Sequence, residues 1–156
     1  MSETPIEPTD DRLANLLDAA IDLTRRRFAP DEPDVGAAAM LLEDGAVVTS
    51  TTPDYFNKMV DVCQETGSLL EAFKRDLDVV ASVCVGRVAP ETFLVLSPCG
   101  VCLERLISHG PDVRVAVPDP SDATQARWVP VSEAHPYFWG KIWTEKIPYP
   151  GAEHDD

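Results

Sequence analysis

Cys63-Gln64-Glu65 and, farther along, Leu96-Ser97-Pro98-Cys99-Gly100-Val101-Cys102 are the two stretches that decide how this chain is read. Together they spell C-x-E followed by P-C-x-x-C. They supply three thiols and one carboxylate that need not be a ligand. Three protein ligands leave the fourth position of a tetrahedral zinc open, and that opening separates a catalytic zinc from a structural one. Water admitted there has its pKa lowered toward neutrality and becomes a nucleophile as hydroxide. Glu65 is spaced to take a proton from that water and pass it onward.

Both groups fall at the start of an expected helix, over 62–75 and 100–108. Unpaired N–H groups and the helix dipole favour negative charge there. They lower thiol pKa values, and the thiolate is the form that binds metal. Cys99 and Cys102 are spaced to share one helix face, and Pro98 suits a sharp entry from strand to helix. Three thiolates and Zn²⁺ sum to one negative charge, which weakens the metal as a Lewis acid. Backbone N–H groups or a nearby arginine, with Arg105 and Arg75 as candidates, would offset it.

Other candidates read as structural. Cys84 sits in the apolar run VVASVCVG and is expected to be a small buried hydrophobe, not a fourth ligand. His109, His135 and His154 have no paired spacing and are expected on the surface or in packing. Tyr137-Phe138-Trp139 is dense enough to suggest an interface or a pocket lid.

Outward from the motifs, apolar positions Leu13, Leu16, Leu17, Ala20, Ile21 and Leu23 recur at helical spacing, with Thr9 or Asp10 as cap and Phe28-Ala29-Pro30 as terminator. Arg25-Arg26-Arg27 suits the last turn of that helix. Strands are expected over 35–42 and 46–51 around the Glu43-Asp44-Gly45 turn, then over 77–85, 92–96 and 113–117. The order is α-β-β-α-β-β-α-β. Strands that are apolar throughout imply a sheet covered by helices on both faces. Residues 1–10 read as a disordered lead-in and 11–149 as a single domain. Residues 118–149 should hold at most short helices or extended segments, and 150–156 form a frayed acidic tail.

The formal net charge is −14. It repels a phosphate backbone, so a small molecule is expected as partner and nucleic acid is not. No apolar run approaches the roughly 20 residues of a membrane span, and the first residues lack a signal-peptide core. A cytoplasmic location follows, where four cysteines argue for metal or redox chemistry, not disulfides.

These residues resemble the cytidine deaminase superfamily, and within it the small cytidine and blasticidin S deaminase-like enzymes. The carriers are Val35-Gly36-Ala37-Ala38, Asp44-Gly45, Cys63-Gln64-Glu65 and the Leu96–Cys102 stretch. The C-x-E plus P-C-x-x-C pair is the specific part. The resemblance implies a three-layer α/β/α sandwich around a five-stranded mixed sheet, with the two motif helices side by side. It implies zinc on Cys63, Cys99 and Cys102, Glu65 as proton shuttle, and hydrolytic conversion of an amino-heterocycle to its oxo form plus ammonia. It places Ser97 against the amino group and implies a homotetramer or homodimer. The ribose-gripping N-x-E segment of cytidine deaminases falls by spacing on Thr52 and Asp54. With those residues, and with Gln64 beside the first ligand, a modified nucleoside, a nucleobase or another amino-heterocycle fits as well as cytidine.

Two readings compete. Strand followed by C-x-x-C at a helix start is also the arrangement of dithiol oxidoreductases, but that leaves Cys63-Gln64-Glu65 unexplained. A non-catalytic, zinc-stabilised binding scaffold is the other.

Overall fold

The computed structural model describes residues 6–143. Helix α1, Asp10–Arg27, has Asp10 and Asp11 in its first turn and Arg25, Arg26 and Arg27 in its last, each sign where the helix dipole favours it. Leu13, Leu16, Ala20 and Thr24 form its buried stripe. Thr9 is the N-cap by backbone alone, and Phe28 turns extended and ends the helix. Of the lead-in over 1–10, Asp10 opens α1 and the Ile6 N–H bonds to Glu43 O at 3.1 Å. The acidic tail over 150–156 and His154 lie outside the described residues.

Strands β1 (Gly36–Leu42) and β2 (Val47–Ser50) form an antiparallel hairpin. Gly45 closes the turn at φ +90°, and Asp44 Oδ1 accepts the Ala46 N–H at 2.8 Å. Helix α2, Thr66–Arg75, ends on Asp76 in the left-handed region. Strand β3, Val79–Ala89, is the spine of the sheet. One edge pairs antiparallel with β1, from Val79 to Gly86. The opposite edge is shared: Ala81 and Ser82 pair in parallel with β5 (Arg114–Pro118), while Cys84 to Ala89 pair antiparallel with β4 (Thr92–Leu96). Helix α3, Gly100–Leu106, carries the chain from β4 to β5.

The described sheet has six strands in mixed directions, one more than the five expected. The sixth, β6 (Ala126–Pro130), pairs with β5, so the stretch beyond residue 118 supplies an edge strand and the short helix α4, Val131–Ala134. Its proline-rich surroundings hide a five-residue strand from a reading by pattern.

Alternation along β1 builds two cores. Ala39 and Leu41 face α1, packing with Leu13, Leu16, Ala20, Val83, Val85 and Phe93. Met40 and Leu42 face the other way, toward Leu69 and Ala72 of α2, Leu106 of α3 and Val131 of α4. Helices on both faces explain why β1 is buried at every position. The α/β/α sandwich expected from the sequence is the architecture.

Candidate metal and active site

Two segments converge on one end of the sheet. Cys63 and Gln64 do not belong to α2, as expected over 62–75, but form a turn before it, closed by Thr66 N–H to Cys63 O at 3.0 Å. Glu65 is the N-cap residue. From β4, Pro98 leads to Cys99, the N-cap of α3, and Cys102 lies one turn into that helix. Arg105, also on α3, donates to Thr66 Oγ1 at 3.1 Å and ties the two helix starts together.

The sulfurs of Cys63, Cys99 and Cys102 all lie within 4.8 Å of one another, and Cys63 Sγ stands 3.2 Å from Cys99 Sγ. All three are free thiols. A zinc bound at about 2.3 Å to tetrahedral thiolates separates the sulfurs by about 3.8 Å, within the range these two distances bracket. Three thiols gathered this closely are a donor set that fits the chemistry of that ion. Cys84 is buried on β3 and lies outside this group, with its thiol 4.0 Å from Gln64 Oε1. His109 bonds Asp78 and His135 bonds Glu104; neither belongs to a metal-binding group among the described residues.

The electrostatics are uneven. Burial pushes the Cys63 thiol up, and more so Cys84 and Cys102. Cys99 is also desolvated, yet the N–H groups of Cys102 and Val101 and the other thiols bring it below its ordinary value. Glu65 is only 4 % exposed, and that burial raises its carboxyl pKa, partly offset by the Cys102 thiol and Arg105.

The substrate-binding candidates separate into two places. Thr52, Asp54 and Gln64 line one cleft of about 920 Å³, whose far wall is the segment holding Arg27, Glu32 and Asp34. Ser97 is exposed at the end of β4, on the cysteine side. Asp54 is paired with Lys58. Of the aromatic run, Phe138 packs against the core while Tyr137 and Trp139 are largely exposed, Trp139 donating to Glu104 of α3.

Three groups escaped the sequence reading. Ser50 and Ser68 hydrogen-bond between β2 and α2. Arg87, buried on β3, holds Ala29 O at 2.5 Å and thus the outer wall of the cleft. Glu104 joins His135 and Trp139 to α3. None has a motif; each is visible only once distant segments are adjacent.

No family model matches the chain, and no curated protein matches it. Solved structures do. The chain is similar to the cytidine deaminase from Bacillus anthracis, at 38% identity over 83% of this chain and 91% of that one, with a TM-score of 0.76. It is also similar to the cytidine deaminase from Mycobacterium tuberculosis, at 23% identity over 85% and 98% of the two chains and a TM-score of 0.63. That from Mycobacterium leprae shares 20% identity over 80% and 97%, with a TM-score of 0.60. The last two are likenesses of fold.

Proposed function

The chain belongs to the cytidine deaminase superfamily, and from that premise we propose that it is a zinc-dependent aminohydrolase acting on a cytidine-like amino-heterocycle. The observation that carries this reading is the convergence of three sulfurs within 4.8 Å beside the buried carboxyl of Glu65.

In this reading Cys63, Cys99 and Cys102 would hold the zinc. When bound, the ion would supply a Lewis acid that acidifies water and steadies the negative charge on its oxygen. Glu65 does the proton work. It receives a proton from the attacking water and hands it to the ring nitrogen next to the reacting carbon; it then takes the remaining proton of the newly attached hydroxyl and gives it to the exocyclic amine. One C–O bond forms, one C–N bond breaks, and ammonia leaves as the ring keeps a carbonyl. A buried carboxyl with a raised pKa suits a group that must both accept and release a proton. Arg105, tied to Thr66, places positive charge beside Glu65. The Ser97 carbonyl, just ahead of Pro98 and Cys99, accepts a hydrogen bond from the amino group that leaves.

The remainder of the substrate lies toward Thr52, Asp54 and Gln64. Thr52 and Asp54 present a shorter reach than an asparagine and a glutamate would. That favours a nucleobase, an altered sugar or another substituent over strict ribose recognition. The net charge of −14 disfavours nucleic acid as substrate. Among the described residues no helix is long and apolar enough to cross a membrane.

A second copy of the chain completes the assembly, as a homodimer or homotetramer. Phe56 and Met59, in the segment between β2 and Cys63, are 107 % and 93 % exposed, and Val60, Val62, Leu70, Phe73 and Val101 are exposed as well. An apolar surface of that extent next to a site is the mark of an interface.

The test is ammonia release from cytidine, deoxycytidine, cytosine and aminoacylated cytosine nucleosides, with zinc-loaded and chelated protein in parallel. Release from at least one substrate, abolished by chelation and restored by zinc, is the expected result. Protein that carries zinc yet deaminates nothing across such a panel would refute the reading.

A further inference from the structure

We propose that Ser50 is a positioning residue of the metal centre: it caps α2 from the neighbouring strand, anchors the Cys63–Glu65 turn, and leaves the Glu65 carboxyl free for chemistry. The inference rests on the zinc reading above.

A helix leaves its first N–H groups without partners. The N-cap side chain ordinarily accepts from the N–H two or three residues on. In α2 the N-cap is Glu65, and its side chain makes no such bond. The N–H of Ser68, the third helical residue, goes instead to Ser50 Oγ at the end of β2, at 2.9 Å. Ser50 Oγ in turn donates to the Gln64 carbonyl at 2.5 Å, between Cys63 and Glu65. Ser68 Oγ lies 2.7 Å from Ser50 Oγ. With the Ser50 proton committed to Gln64, Ser68 is the donor of that pair. The Ser50 hydroxyl thus gives one hydrogen bond and accepts two, its full capacity.

The backbone is shaped for this contact. A Cβ built on Gly67 would stand 2.7 Å from Ser50 Cβ, so only glycine lets β2 and α2 approach this closely. One hydroxyl therefore sets the height of the turn that carries Cys63 and Glu65. Cys99 and Cys102 are carried by β4 and α3, outside this contact.

Without Ser50, the Ser68 N–H lacks its acceptor, and the nearest local replacement is the Glu65 carboxyl. Recruiting it to capping withdraws it from the reacting centre, and the released Gln64 carbonyl loosens Cys63. Partners that orient a ligand typically govern metal affinity by about 10- to 100-fold.

The experiment compares wild type, Ser50→Ala, Gly67→Ala and Thr24→Ala. Thr24→Ala removes a buried hydroxyl bonded within α1, on the other face of the sheet, and controls for stability. Zn²⁺ affinity is measured by competition with a chromophoric chelator, and Co²⁺ spectra report the thiolate geometry. Melting of the metal-free proteins and the separation of kcat from KM complete the set. Ser50→Ala is expected to bind Zn²⁺ about 10- to 100-fold more weakly, with an altered Co²⁺ spectrum and a fall in kcat exceeding any change in KM. Thr24→Ala should keep both metal properties at a similar melting temperature. Gly67→Ala should weaken Zn²⁺ binding although alanine is the better helix former. Wild-type affinity and spectrum in both Ser50→Ala and Gly67→Ala would overturn the positioning role while leaving the zinc site intact. Wild-type protein that takes up no Zn²⁺ would overturn the zinc reading, and this inference with it.

Discussion

Replacing Glu65 by glutamine separates chemistry from architecture at this site. The two side chains have nearly the same shape, but the amide cannot carry the proton. Glu65 is buried, so a change of volume would be felt; glutamine avoids one. Its side chain does not cap α2, so the loss of about 1 kcal/mol typical of a removed cap does not apply. Desolvation already disfavours the charged carboxylate, and a neutral amide removes that penalty. The metal-free variant should therefore melt no lower than metal-free wild type. Loss of a positioned acid–base group costs about 10²- to 10⁴-fold, or about 3–5 kcal/mol in the barrier at 1.36 kcal/mol per tenfold. The assay is ammonia release at saturating substrate, with zinc content measured on the same samples. Fully loaded, folded Glu65→Gln protein that keeps more than a tenth of wild-type kcat would refute the shuttle role. A large fall in melting temperature would show instead that the carboxyl is a structural element.

Other perturbations read other parts of the molecule. Cys99→Ala should lose stoichiometric zinc and lower the melting temperature of protein purified with metal, since binding and folding are coupled; full zinc content by elemental analysis would contradict the ligand assignment. Leu16→Ala, at a fully buried position of α1, should cost about 2–5 kcal/mol in denaturant unfolding without changing zinc stoichiometry. Phe56→Asp with Met59→Asp should shift sedimentation toward the monomer, and unchanged assembly would place the interface elsewhere. Arg87→Ala should cost about 1–3 kcal/mol, because the Ala29 carbonyl loses its side-chain donor and the Thr24 carbonyl keeps only the Phe28 N–H; urea unfolding measures it.

The sequence was legible where a local pattern has one physical solution. Thr92–Leu96 has the strand bounds expected of it, because an apolar run between Glu91 and Ser97-Pro98 has little choice. Asp44-Gly45 marked its hairpin turn because the backbone there demands positive φ. The three sulfurs were found from spacing alone, since metal chemistry restricts which residues serve. Cys63 and Gln64 were assigned to α2, yet they form a separate turn; no residue type distinguishes a helix start from the tight turn that feeds it. β6 was missed because its partner β5 decides it and five residues leave a weak signature. Ser50 was invisible for the same reason. Its importance arises from what stands 2.9 Å away across the fold, and a serine at the end of a strand announces nothing.

The hairpin between β3 and β4 has a long reach. Cys99 follows directly from β4, whose place along β3 is fixed by pairings such as Cys84 with Leu96 and Arg87 with Phe93. A strand advances about 3.3 Å per residue, and a slip of one residue also swaps its two faces. Two residues added at the tip near Glu91, if absorbed by sliding, would carry Cys99 about 6.6 Å along the spine, too far to share an ion with Cys63. Length variation at that remote loop is therefore a hidden fault line: the sandwich could survive it intact and be chemically silent.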